Sequence, residues 1–368
     1  MQDLSKISVV LPSLDPDEKL NAVISGLLEY GFSDIILVND GSKPENLHYF
    51  EDAAEAHPEI HLLHHEVNLG KGAALKNAFR WFLENRPDGL GVVTVDGDNQ
   101  HHPADTRACC EQMLKSGKCV LGCRDFDRPD VPPRSRFGNR TTSMVFKLFV
   151  GMTVSDTQTG LRAIPRSALK TLTEVYGDRF EYETNMLLAF KTHNIPFEEV
   201  KIRTVYIEEN KSSHFRTFRD SWRIYKLILK HFFLYTLSSL ISSVADIGAF
   251  ALLSRLLAAS LRGFALTAAT VGGARILSSL LNFSLTKRWV FRTNVDTKHA
   301  LLRYYMVSVP QFLLQLFLDQ GVFSLFGVHD AGFLRTLLHT VVMVVLYFIS
   351  YMFQQRWVFA PEKSKSLS

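Results

Sequence analysis

Three oxygen-bearing side chains follow a β-branched run in the segment VTVDGDNQHHP, residues 93–103. Asp96, Asp98 and Gln100 alternate along this segment. Two carboxylates and an amide oxygen suit a hard divalent cation, Mg²⁺ or Mn²⁺, that keeps coordination positions free for phosphate oxygens. Such a cation would offset the charge of a departing diphosphate. From these residues alone, the alternative is an acidic turn that caps a helix beginning at Pro103.

The elements around this cluster alternate between strand-like and helix-like patterns. Apolar and β-branched runs predict strands at ISVVLP (7–12), DIILVND (34–40), IHLLHH (60–65), GVVTVD (91–96) and CVLGC (119–123). Because helical patterns lie between them, the sequence predicts a parallel, doubly wound α/β sheet, which binds ligands beyond the carboxyl ends of its strands. Polar clusters occur at those ends: Ser13–Asp15, Asn39–Ser42, Asn68–Lys71 and Asp96–Gln100.

Several common classes of protein do not match this sequence. The first strand is followed by LPSLDPDE rather than GxGxxG, and no GxxxxGK[ST] occurs, which argues against a dinucleotide site and a P-loop. The net charge of +4 is small, and the first half has no basic stripe interleaved with aromatic residues, so nucleic acid is not an expected partner. The cysteines lack zinc-ribbon spacing and are predicted to be reduced, buried thiols: Cys109, Cys110, Cys119 and Cys123.

Six separated segments resemble, in order and in approximate spacing, family 2 glycosyltransferases with the GT-A fold. They are VVLPSLDPDEKL, LVNDGS, NLGKGAAL, VDGDNQHHP, LGCR and SDTQTGLR. The similarity is greatest to polyprenyl-phosphate sugar synthases of the dolichol-phosphate mannose synthase type, and it covers about residues 5–230. The resemblance implies an α/β GT-A domain, with a Rossmann-like mixed sheet and helices on both faces. It implies hexose transfer from a GDP- or UDP-sugar to a polyprenyl monophosphate, with inversion.

The resemblance also assigns roles to individual residues. The nucleotide and donor sugar are expected to contact Pro12, Leu14, Asp15, Asp40, Lys71 and Asp96. The expected ligands of Mg²⁺ or Mn²⁺ are Asp96, Asp98 and Gln100. Arg124 and Arg134 match arginines that hold the acceptor phosphate, and guanidinium groups suit that role. Further candidates for the acceptor are Arg136, Arg140, Gln158 and Arg162. The expected catalytic set is Asp98, Arg124, Arg134 and Asp156.

Two segments leave alternatives open. The first motif departs from the family pattern, because Leu14 stands where an aromatic residue is usual and Pro16 stands near the usual Glu. The choice between a guanosine and a uridine donor is therefore open. Glu181 and Glu183 are interpreted as acidic residues that favour the N-terminus of a helix, with a contact to the sugar as the alternative.

The second half of the chain has the composition of a membrane domain. Long apolar runs predict spans at about 232–257, 263–285, 304–326 and 333–354. Basic residues concentrate before the first span, between the second and third, and after the fourth. By the positive-inside rule, we expect a multi-pass protein of the plasma membrane whose catalytic domain and both termini are cytoplasmic. The predicted divisions are a catalytic domain 1–210, a linker 211–231, a transmembrane domain 232–360 and a polar tail 361–368.

The linker region has a composition suited to a membrane surface. KSSHFRTFRDSWRIYKLILKHFF (211–233) mixes basic and aromatic residues, as in an amphipathic helix that lies on anionic headgroups. Ser213 and His214 could meet a lipid phosphate there, and the alternative is a purely electrostatic anchor.

The membrane half contains an internal repeat. LTKRWVF (285–291) returns as FQQRWVF (353–359), which indicates two copies of one helical hairpin. This half resembles GtrA-like four-helix domains. Asp246, Arg275 and Asp319 lie within the predicted spans at similar depth, and an unpaired charge there is costly. We therefore predict that Arg275 pairs with Asp246 or Asp319.

The expected partners follow from these assignments. They are a nucleotide sugar, undecaprenyl or dolichyl phosphate, and the lipid bilayer; a homo-oligomer is left open. One alternative is a glycosyltransferase that uses another membrane lipid as acceptor, which would need a base to activate a hydroxyl. A second alternative is a processive synthase, which would need a further acceptor motif and a larger channel than four spans suggest. A third is a transporter (flippase) of the lipid-linked sugar.

Overall fold

The computed structural model describes residues 3–128, 131, 133–203, 217–291, 293, 295–327 and 333–360. The chain divides into two compact units, residues 1–225 and 226–368. The first unit holds the sheet, and the second holds the long apolar helices.

The described part of the first unit contains one mixed sheet. Its strands are β1 (Ile7–Ser13), β2 (Ile35–Asp40), β3 (Ile60–His65), β4 (Gly91–Thr94), β5 (Cys119–Arg124), β6 (Arg162–Pro165) and β7 (Phe197–Ile202). Their order is β3-β2-β1-β4-β6-β5-β7, and only β6 runs antiparallel to its neighbours β4 and β5 among these strands. The mixed sheet confirms the GT-A class. The wholly parallel sheet expected from alternation alone is wrong at β6, because the hydrophobic pattern of a strand carries no information about its direction.

The helices of this unit pack against a sheet that is buried on both faces. They are α1 (Lys19–Glu29), α2 (His48–Ala56), α3 (Lys71–Asn85), α4 (Pro103–Ser116), α5 (Pro133–Val145), α6 (Arg166–Thr173) and α7 (Glu181–Thr192), and a π-helical turn, Phe146–Val150, extends α5. In α1, the buried Leu20, Val23, Ile24 and Leu27 recur at helical spacing and contact the core. Successive residues of β1 are all buried up to Pro12, as expected of a central strand covered by helices on both sides.

The second unit is built from four helices that are long and apolar enough to cross a membrane. The helices are α8 (Thr217–Leu257), α9 (Gly263–Leu285), α10 (Thr297–Leu325) and α11 (Phe333–Phe353). The candidate spans are Phe232–Leu257, Gly263–Val290, Thr297–Leu325 and Phe333–Val358. The predicted all-α domain of four transmembrane helices is therefore confirmed.

Two predicted boundaries in this region differ from the structure. Residues 217–231 of the predicted linker do not form a separate helix, since α8 runs without a break from Thr217 to Leu257. No Gly or Pro occurs between residues 217 and 247 to interrupt it. Helix α10 begins at Thr297 rather than near residue 304, because Asp296 caps it by accepting the backbone N–H of His299 at 3.0 Å.

The repeated segments adopt the same local structure. Each ends its helix with a π-helical turn, Thr286–Val290 after α9 and Gln354–Val358 after α11. The backbone N–H of Phe291 donates to the carbonyl of Thr286 at 3.0 Å, and that of Phe359 donates to the carbonyl of Gln354 at 2.9 Å. The repeat seen in the sequence is thus a repeat of backbone conformation.

Side-chain hydrogen bonds join the two hairpins reciprocally. Gln354 of the second hairpin donates from Nε2 to the hydroxyl of Tyr235 in α8 at 3.0 Å. Asn282 of the first hairpin donates from Nδ2 to the hydroxyl of Tyr304 in α10, also at 3.0 Å. The second helix of each hairpin therefore bonds the first helix of the other.

Two acidic side chains within the spans have basic partners. Arg275 Nη2 lies 3.6 Å from Asp246 Oδ2, which confirms the predicted pair, and Ser278 Oγ donates to Asp246 at 2.7 Å. Asp319 Oδ2 lies 2.8 Å from His339 Nδ1, a contact that the sequence had not suggested. Each hairpin thus places an acid of its first helix beside a basic side chain of its second.

The amino-terminal edge of the sheet is held by a buried carboxylate. Asp34, just before β2, accepts hydrogen bonds from Arg86 Nε at 3.0 Å and Nη2 at 2.8 Å, and from the Ser8 hydroxyl of β1. His61 Nε2 of β3 lies 3.1 Å from the same carboxylate. One side chain therefore ties the ends of three strands to the end of α3.

We predict that Asp34→Ala lowers the free energy of unfolding by about 1–3 kcal/mol, because the buried Ser8 hydroxyl and the partly buried Arg86 guanidinium lose their acceptor. Thermal unfolding of the purified full-length chain measures the loss. The matched control is Asp178→Ala, which removes a pair with Lys76 whose aspartate side chain is 65% exposed, and it should change stability by less than about 0.5 kcal/mol. Equal effects of the two substitutions would show that burial of Asp34 does not determine its contribution.

Candidate functional site

A shared ammonium group lies at the centre of the site. Lys71, the first residue of α3, places Nζ 2.7 Å from Asp96 Oδ1 and 3.0 Å from Glu183 Oε1. Burial alone would lower the pKa of Lys71, but the two carboxylates outweigh it and hold the pKa above its usual value. Burial likewise opposes ionisation of Asp96, yet Lys71 and His101 keep the pKa of that carboxyl well below its ordinary range.

Asp98 has the opposite environment. Burial, and then the neighbouring charge of Asp96, raise the pKa of Asp98 above its ordinary value. The backbone N–H of Gln100 donates to Asp98 Oδ1 at 3.1 Å, so the loop holds this carboxylate in place. Asp98 is therefore less compensated by nearby positive groups of the protein than Asp96 is.

The carboxylates of this loop suit a metal ion that takes most of its ligands from water and substrate. Among the described residues, no three His, Cys, Asp or Glu side chains are grouped as a complete metal site. Asp96 and Asp98 repel each other electrostatically, and Lys71 forms its direct ion pair with Asp96. Two carboxylates with further oxygens from water and substrate phosphates are the environment that Mg²⁺ prefers, so the residues present fit Mg²⁺ or Mn²⁺.

The loop that leads into β6 passes directly against Asp96. A Cβ atom on Gly160 would lie 2.2 Å from Asp96 Oδ2, so this position leaves no room for a side chain. Thr94 Oγ1 of β4 donates to the carbonyl of Gly160 at 2.6 Å, and Thr159 Oγ1 donates to the carbonyl of Gly122 in β5 at 2.5 Å. Both neighbouring strands therefore fix the end of this loop.

The start of the same loop holds Arg124. Asp156 is fully buried and accepts from Arg124 Nε at 2.7 Å and Nη2 at 3.2 Å. Its Oδ1 also accepts the backbone N–H of Gln158 at 3.1 Å. The guanidinium carbon of Arg124 lies 5.1 Å from the centroid of the Phe126 ring. This bidentate pair fixes the guanidinium group at the end of β5.

A cavity of about 440 Å³ opens beside Arg124. Basic and acidic residues both line it: the basic ones are Arg124, Arg140 and Lys201, and the acidic ones are Asp125, Asp127 and Glu199. Arg140 also binds Asp127 at 2.6 Å, through side chains that are mostly exposed. The cavity therefore lies next to a guanidinium group whose position is fixed by Asp156.

Asp40 positions a loop of the site. Its carboxylate accepts the backbone N–H groups of Leu69 at 3.0 Å and Gly70 at 2.9 Å, and it lies 2.8 Å from His65 Nδ1. Gly70 has a φ of +103°, and a Cβ there would lie 2.4 Å from the carbonyl oxygen of Asp178. Asp40 thus holds the turn that brings Lys71 to Asp96, and its contact with a nucleotide stays a prediction.

The loops after β1 and β2 are tied together by Asp15, which has a φ of +47°. Its Oδ1 accepts from the backbone N–H of Lys43 at 2.8 Å and from Asn46 Nδ2 at 3.2 Å. Of the other residues predicted for the nucleotide, Pro12 is buried within β1 and Leu14 is half-buried beside it.

The remaining predicted acceptor residues are divided between surface and core. The side chain of Gln158 is exposed, whereas that of Arg162 is 1% exposed and donates from Nη1 to the carbonyl of Glu183 at 2.8 Å. Arg162 therefore ties β6 to α7 within the core rather than lining the cavity. Arg136 donates to the carbonyl of Phe126 at 3.0 Å and supports the loop after β5. The Arg134 side chain, Ser213 and His214 lie outside the described residues.

For Glu183, sequence reasoning favoured a helix N-terminus over a site contact and did not identify Lys71 as its partner. It was interpreted as an acidic residue of a helix N-terminus, and it does lie in the first turn of α7. Its second role depends on Lys71, which is 112 residues away in the chain. The only indication in the sequence was a second carboxylate in the FEYETN segment. Such a carboxylate does not show which residue it pairs with.

We predict that Gly160→Ala destabilises the full-length chain by about 1–3 kcal/mol, because the added methyl group displaces the Asp96 carboxylate from its ion pair. Thermal unfolding measures the effect. The control is Gly248→Ala, which lies in α8 with no heavy atom within 4 Å of the added Cβ, and it should not destabilise the chain. If Gly160→Ala leaves the unfolding temperature unchanged, the close approach of this loop to Asp96 is not a constraint.

Two family models match the chain. The model described as Glycosyl transferase family 2 matches residues 8–173. The model described as GtrA/DPMS, transmembrane domain, matches residues 234–359. The first match contains the Asp96 loop, Arg124 and Asp156, and the second contains both membrane hairpins.

Several curated relatives resemble the first unit. The UDP-N-acetylglucosamine–dolichyl-phosphate N-acetylglucosaminyltransferase of Methanococcus voltae is 28% identical over 219 residues, which are 55% of this chain and 86% of that protein. The undecaprenyl-phosphate mannosyltransferase of Micrococcus luteus is 22% identical, with 55% of this chain and 84% of that protein covered. The polyprenol monophosphomannose synthase of Mycolicibacterium smegmatis is 24% identical, with 54% and 77% covered. The chain is therefore a glycosyltransferase in which a family 2 catalytic domain is followed by a GtrA/DPMS transmembrane domain.

Proposed function

We propose that this glycosyltransferase transfers a hexose from a GDP- or UDP-sugar to a polyprenyl monophosphate such as undecaprenyl or dolichyl phosphate. The relatives named for dolichyl-phosphate, undecaprenyl-phosphate and polyprenol products support this acceptor class. The four candidate spans support a substrate that resides in the membrane.

One observation carries the proposal: a single loop contacts both the acidic cluster and the guanidinium group. Asp156, at its start, holds Arg124, and Gly160, at its end, packs against Asp96. A leaving diphosphate at the acidic cluster and an attacking phosphate at Arg124 would therefore be positioned by one short, buried segment. This arrangement suits a displacement in which the acceptor phosphate attacks the sugar carbon on one side while the nucleoside diphosphate departs from the opposite side.

The acceptor phosphate needs placement rather than activation. A phosphate monoester is already anionic near neutral pH, so a general base adds little. The Asp156 carboxylate is fully buried and its oxygens accept from Arg124 and Gln158, which leaves it suited to orienting Arg124 and not to removing a proton. Direct attack of the phosphate oxygen on the anomeric carbon would invert its configuration.

Positive charge on the other side of the sugar would assist departure of the nucleoside diphosphate. Mg²⁺ or Mn²⁺ bound by Asp96, Asp98 and Gln100 would offset the charge that develops on the leaving oxygens. Lys71 adds a fixed ammonium group to the same loop, and Glu183 holds it there. Such preorganised charges act without the cost of reorienting solvent.

The proposed location is the plasma membrane, with the catalytic domain and both termini on the cytoplasmic side. Residues 286–303, which include the end of the second candidate span and the start of the third, carry a cluster of basic residues, and this favours a cytoplasmic position for them. Nucleotide sugars of the cytoplasm would then reach the catalytic domain directly.

The first prediction for this function concerns the acidic cluster. Asp98→Asn should reduce transfer by at least about 100-fold, since it removes the negative charge least compensated by the protein. Membranes that contain the full chain are incubated with a panel of radiolabelled sugar nucleotides, undecaprenyl phosphate and Mn²⁺, and lipid-soluble label is counted. Asp88→Asn, an exposed aspartate in the loop before β4, serves as control and should retain activity. Full activity of Asp98→Asn would exclude the proposed role.

The second prediction concerns the support of Arg124. Asp156→Asn should raise KM for the lipid acceptor about 10-fold and leave KM for the nucleotide sugar nearly unchanged, because the bidentate pair no longer fixes the guanidinium group. Steady-state rates at varied acceptor and donor concentrations separate these effects. Glu111→Gln, which removes the pair with Arg107 on α4, is the control and should change neither constant. An equal rise in both constants would argue against a role specific to the acceptor.

A further inference from the structure

Both oxygens of the Asp96 carboxylate lie beside groups of the protein. Oδ1 lies 2.7 Å from the Lys71 ammonium nitrogen, and Oδ2 lies 3.6 Å from His101 Nε2. Oδ2 also faces Gly160, where a Cβ atom would lie 2.2 Å from it. The backbone at Gly160 is held by the hydroxyl of Thr94, whereas the four-carbon stem of a lysine can rotate. A cation that enters from solvent therefore meets Asp96 most readily at Oδ1, where Lys71 lies.

The Lys71 ammonium group and a divalent cation cannot share Oδ1 without cost. Two positive groups on one oxygen atom would be close neighbours and would repel each other strongly. The cation carries two charges and the ammonium group carries one, so the carboxylate attracts the cation more strongly. Lys71 and a divalent metal ion are therefore competitors for Asp96.

A second carboxylate is already in place for the ammonium group. Lys71 Nζ lies 3.0 Å from Glu183 Oε1. The Glu183 side chain is 14% exposed and that of Asp96 is 29% exposed, so a cation from solvent reaches Asp96 more easily. Lys71 can therefore leave Asp96 and still be paired, since it moves from a position between two carboxylates to one beside Glu183 alone.

The charges of the cluster balance after such an exchange. When Asp96, Asp98, Glu183 and Lys71 are all ionised, three carboxylates and one ammonium group leave two negative charges, which a divalent cation neutralises. With the cation held by Asp96 and Asp98 and the ammonium group held by Glu183, each carboxylate has a positive partner. Partly buried charges need such partners, because leaving one of them unpaired is costly.

We propose that Lys71 occupies the Asp96 carboxylate until a divalent cation binds, and that the cation then displaces the ammonium group onto Glu183. Lys71 is thus a competitor of the metal ion, and Glu183 is a positioning residue that acts through Lys71. This exchange rests on the metal site of the proposed function, and it gives the second carboxylate of the FEYETN segment a role in metal binding.

Competition of this kind links metal binding to nucleotide binding. Without nucleotide, the metal ion must offset the loss of the ion pair between Lys71 and Asp96, so we expect it to bind weakly. A nucleoside diphosphate supplies further oxygen ligands for the metal ion, so the two should bind together more tightly than either binds alone. The catalytic domain then holds little metal until a donor is present.

The test measures the affinity for Mn²⁺ without any reaction. The purified full-length chain is titrated with Mn²⁺ in the absence of nucleotide, and free Mn²⁺ is measured by electron paramagnetic resonance. Lys71→Met should lower the dissociation constant about 10-fold, because the cation no longer competes with an ammonium group. Glu183→Gln should raise it several-fold, because the displaced ammonium group loses its second partner.

Opposite shifts distinguish displacement from a merely structural role, since a distorted site would bind Mn²⁺ more weakly in both variants. The double variant tests whether Glu183 acts through Lys71. In the Lys71→Met background, Glu183→Gln should change the dissociation constant by less than about twofold. The same several-fold rise in both backgrounds would overturn the proposal, because it would show a general effect of the Glu183 charge.

Lys76→Met is the matched control. Lys76 lies on the same helix as Lys71 and pairs at 2.6 Å with Asp178, whose side chain is 65% exposed. This substitution should change the dissociation constant by less than about twofold, because solvent screens a charge outside the cluster. An equal decrease in Lys71→Met and Lys76→Met would overturn the proposal, and so would an unchanged dissociation constant in Lys71→Met.

A second substitution and a second readout guard against a variant that folds poorly. Lys71→Gln can still donate a hydrogen bond to a carboxylate, and it should show the same decrease in the dissociation constant as Lys71→Met. Mn²⁺ should also raise the Tm of Lys71→Gln more than that of the parent chain, because a ligand stabilises the state that binds it more tightly. A smaller rise in Tm than in the parent chain would contradict displacement.

Sugar transfer by the same preparations separates this exchange from the proposed function. A parent chain that transfers no sugar, but whose variants show the opposite shifts in Mn²⁺ affinity, would support displacement and exclude the proposed function. Mn²⁺-dependent transfer, with equal Mn²⁺ affinity in the parent chain and Lys71→Met, would overturn displacement alone. If none of these chains binds Mn²⁺, with or without GDP or UDP, both the exchange and the metal site are excluded.

Discussion

The ammonium group of Lys71 is the interaction on which the candidate site depends. It lies between the carboxylates of Asp96 and Glu183, and leaving any of these three partly buried charges unpaired would be costly. Lys71 begins α3, Asp96 follows β4 and Glu183 lies in the first turn of α7. The ammonium group of Lys71 therefore connects three elements that are distant in the chain. The turn before Lys71 is held in place by Asp40, and the loop beside Asp96 admits only glycine at position 160. The geometry of the acidic cluster therefore follows from satisfying a small number of buried charges.

Local patterns predicted much of this arrangement. Strands end near Asp40 and Asp96 as expected, because hydrophobic runs and the polar residues after them are adjacent in sequence. The antiparallel direction of β6 and the contact between Lys71 and Glu183 could not be predicted in this way, since each depends on a partner far along the chain. Arg162 was expected near the acceptor because it follows the SDTQTG segment, yet its side chain is buried in the core. The position of a residue along a strand does not show whether its side chain faces the core or the site.

The membrane domain shows the same contrast between local and distant information. The spans and the pair of Arg275 with Asp246 followed from apolar length and matching depth. The pair of His339 with Asp319 was not predicted, because a histidine within an apolar run does not by itself indicate an acidic partner. The repeated RWVF segments predicted two similar hairpins, but not the π-helical turns that both contain.

The reciprocal bonds of the membrane hairpins bear on the origin of the domain. Tyr235 is bonded by Gln354, and Tyr304 is bonded by Asn282, so each hairpin supplies what the other requires. A polypeptide with only one hairpin could satisfy such groups by associating with an identical molecule across a twofold axis. Duplication and fusion of its gene would then join the two halves covalently, after which each half is free to diverge. The acid of one half has an arginine partner and the acid of the other half has a histidine partner, which is the kind of asymmetry that such a fusion permits.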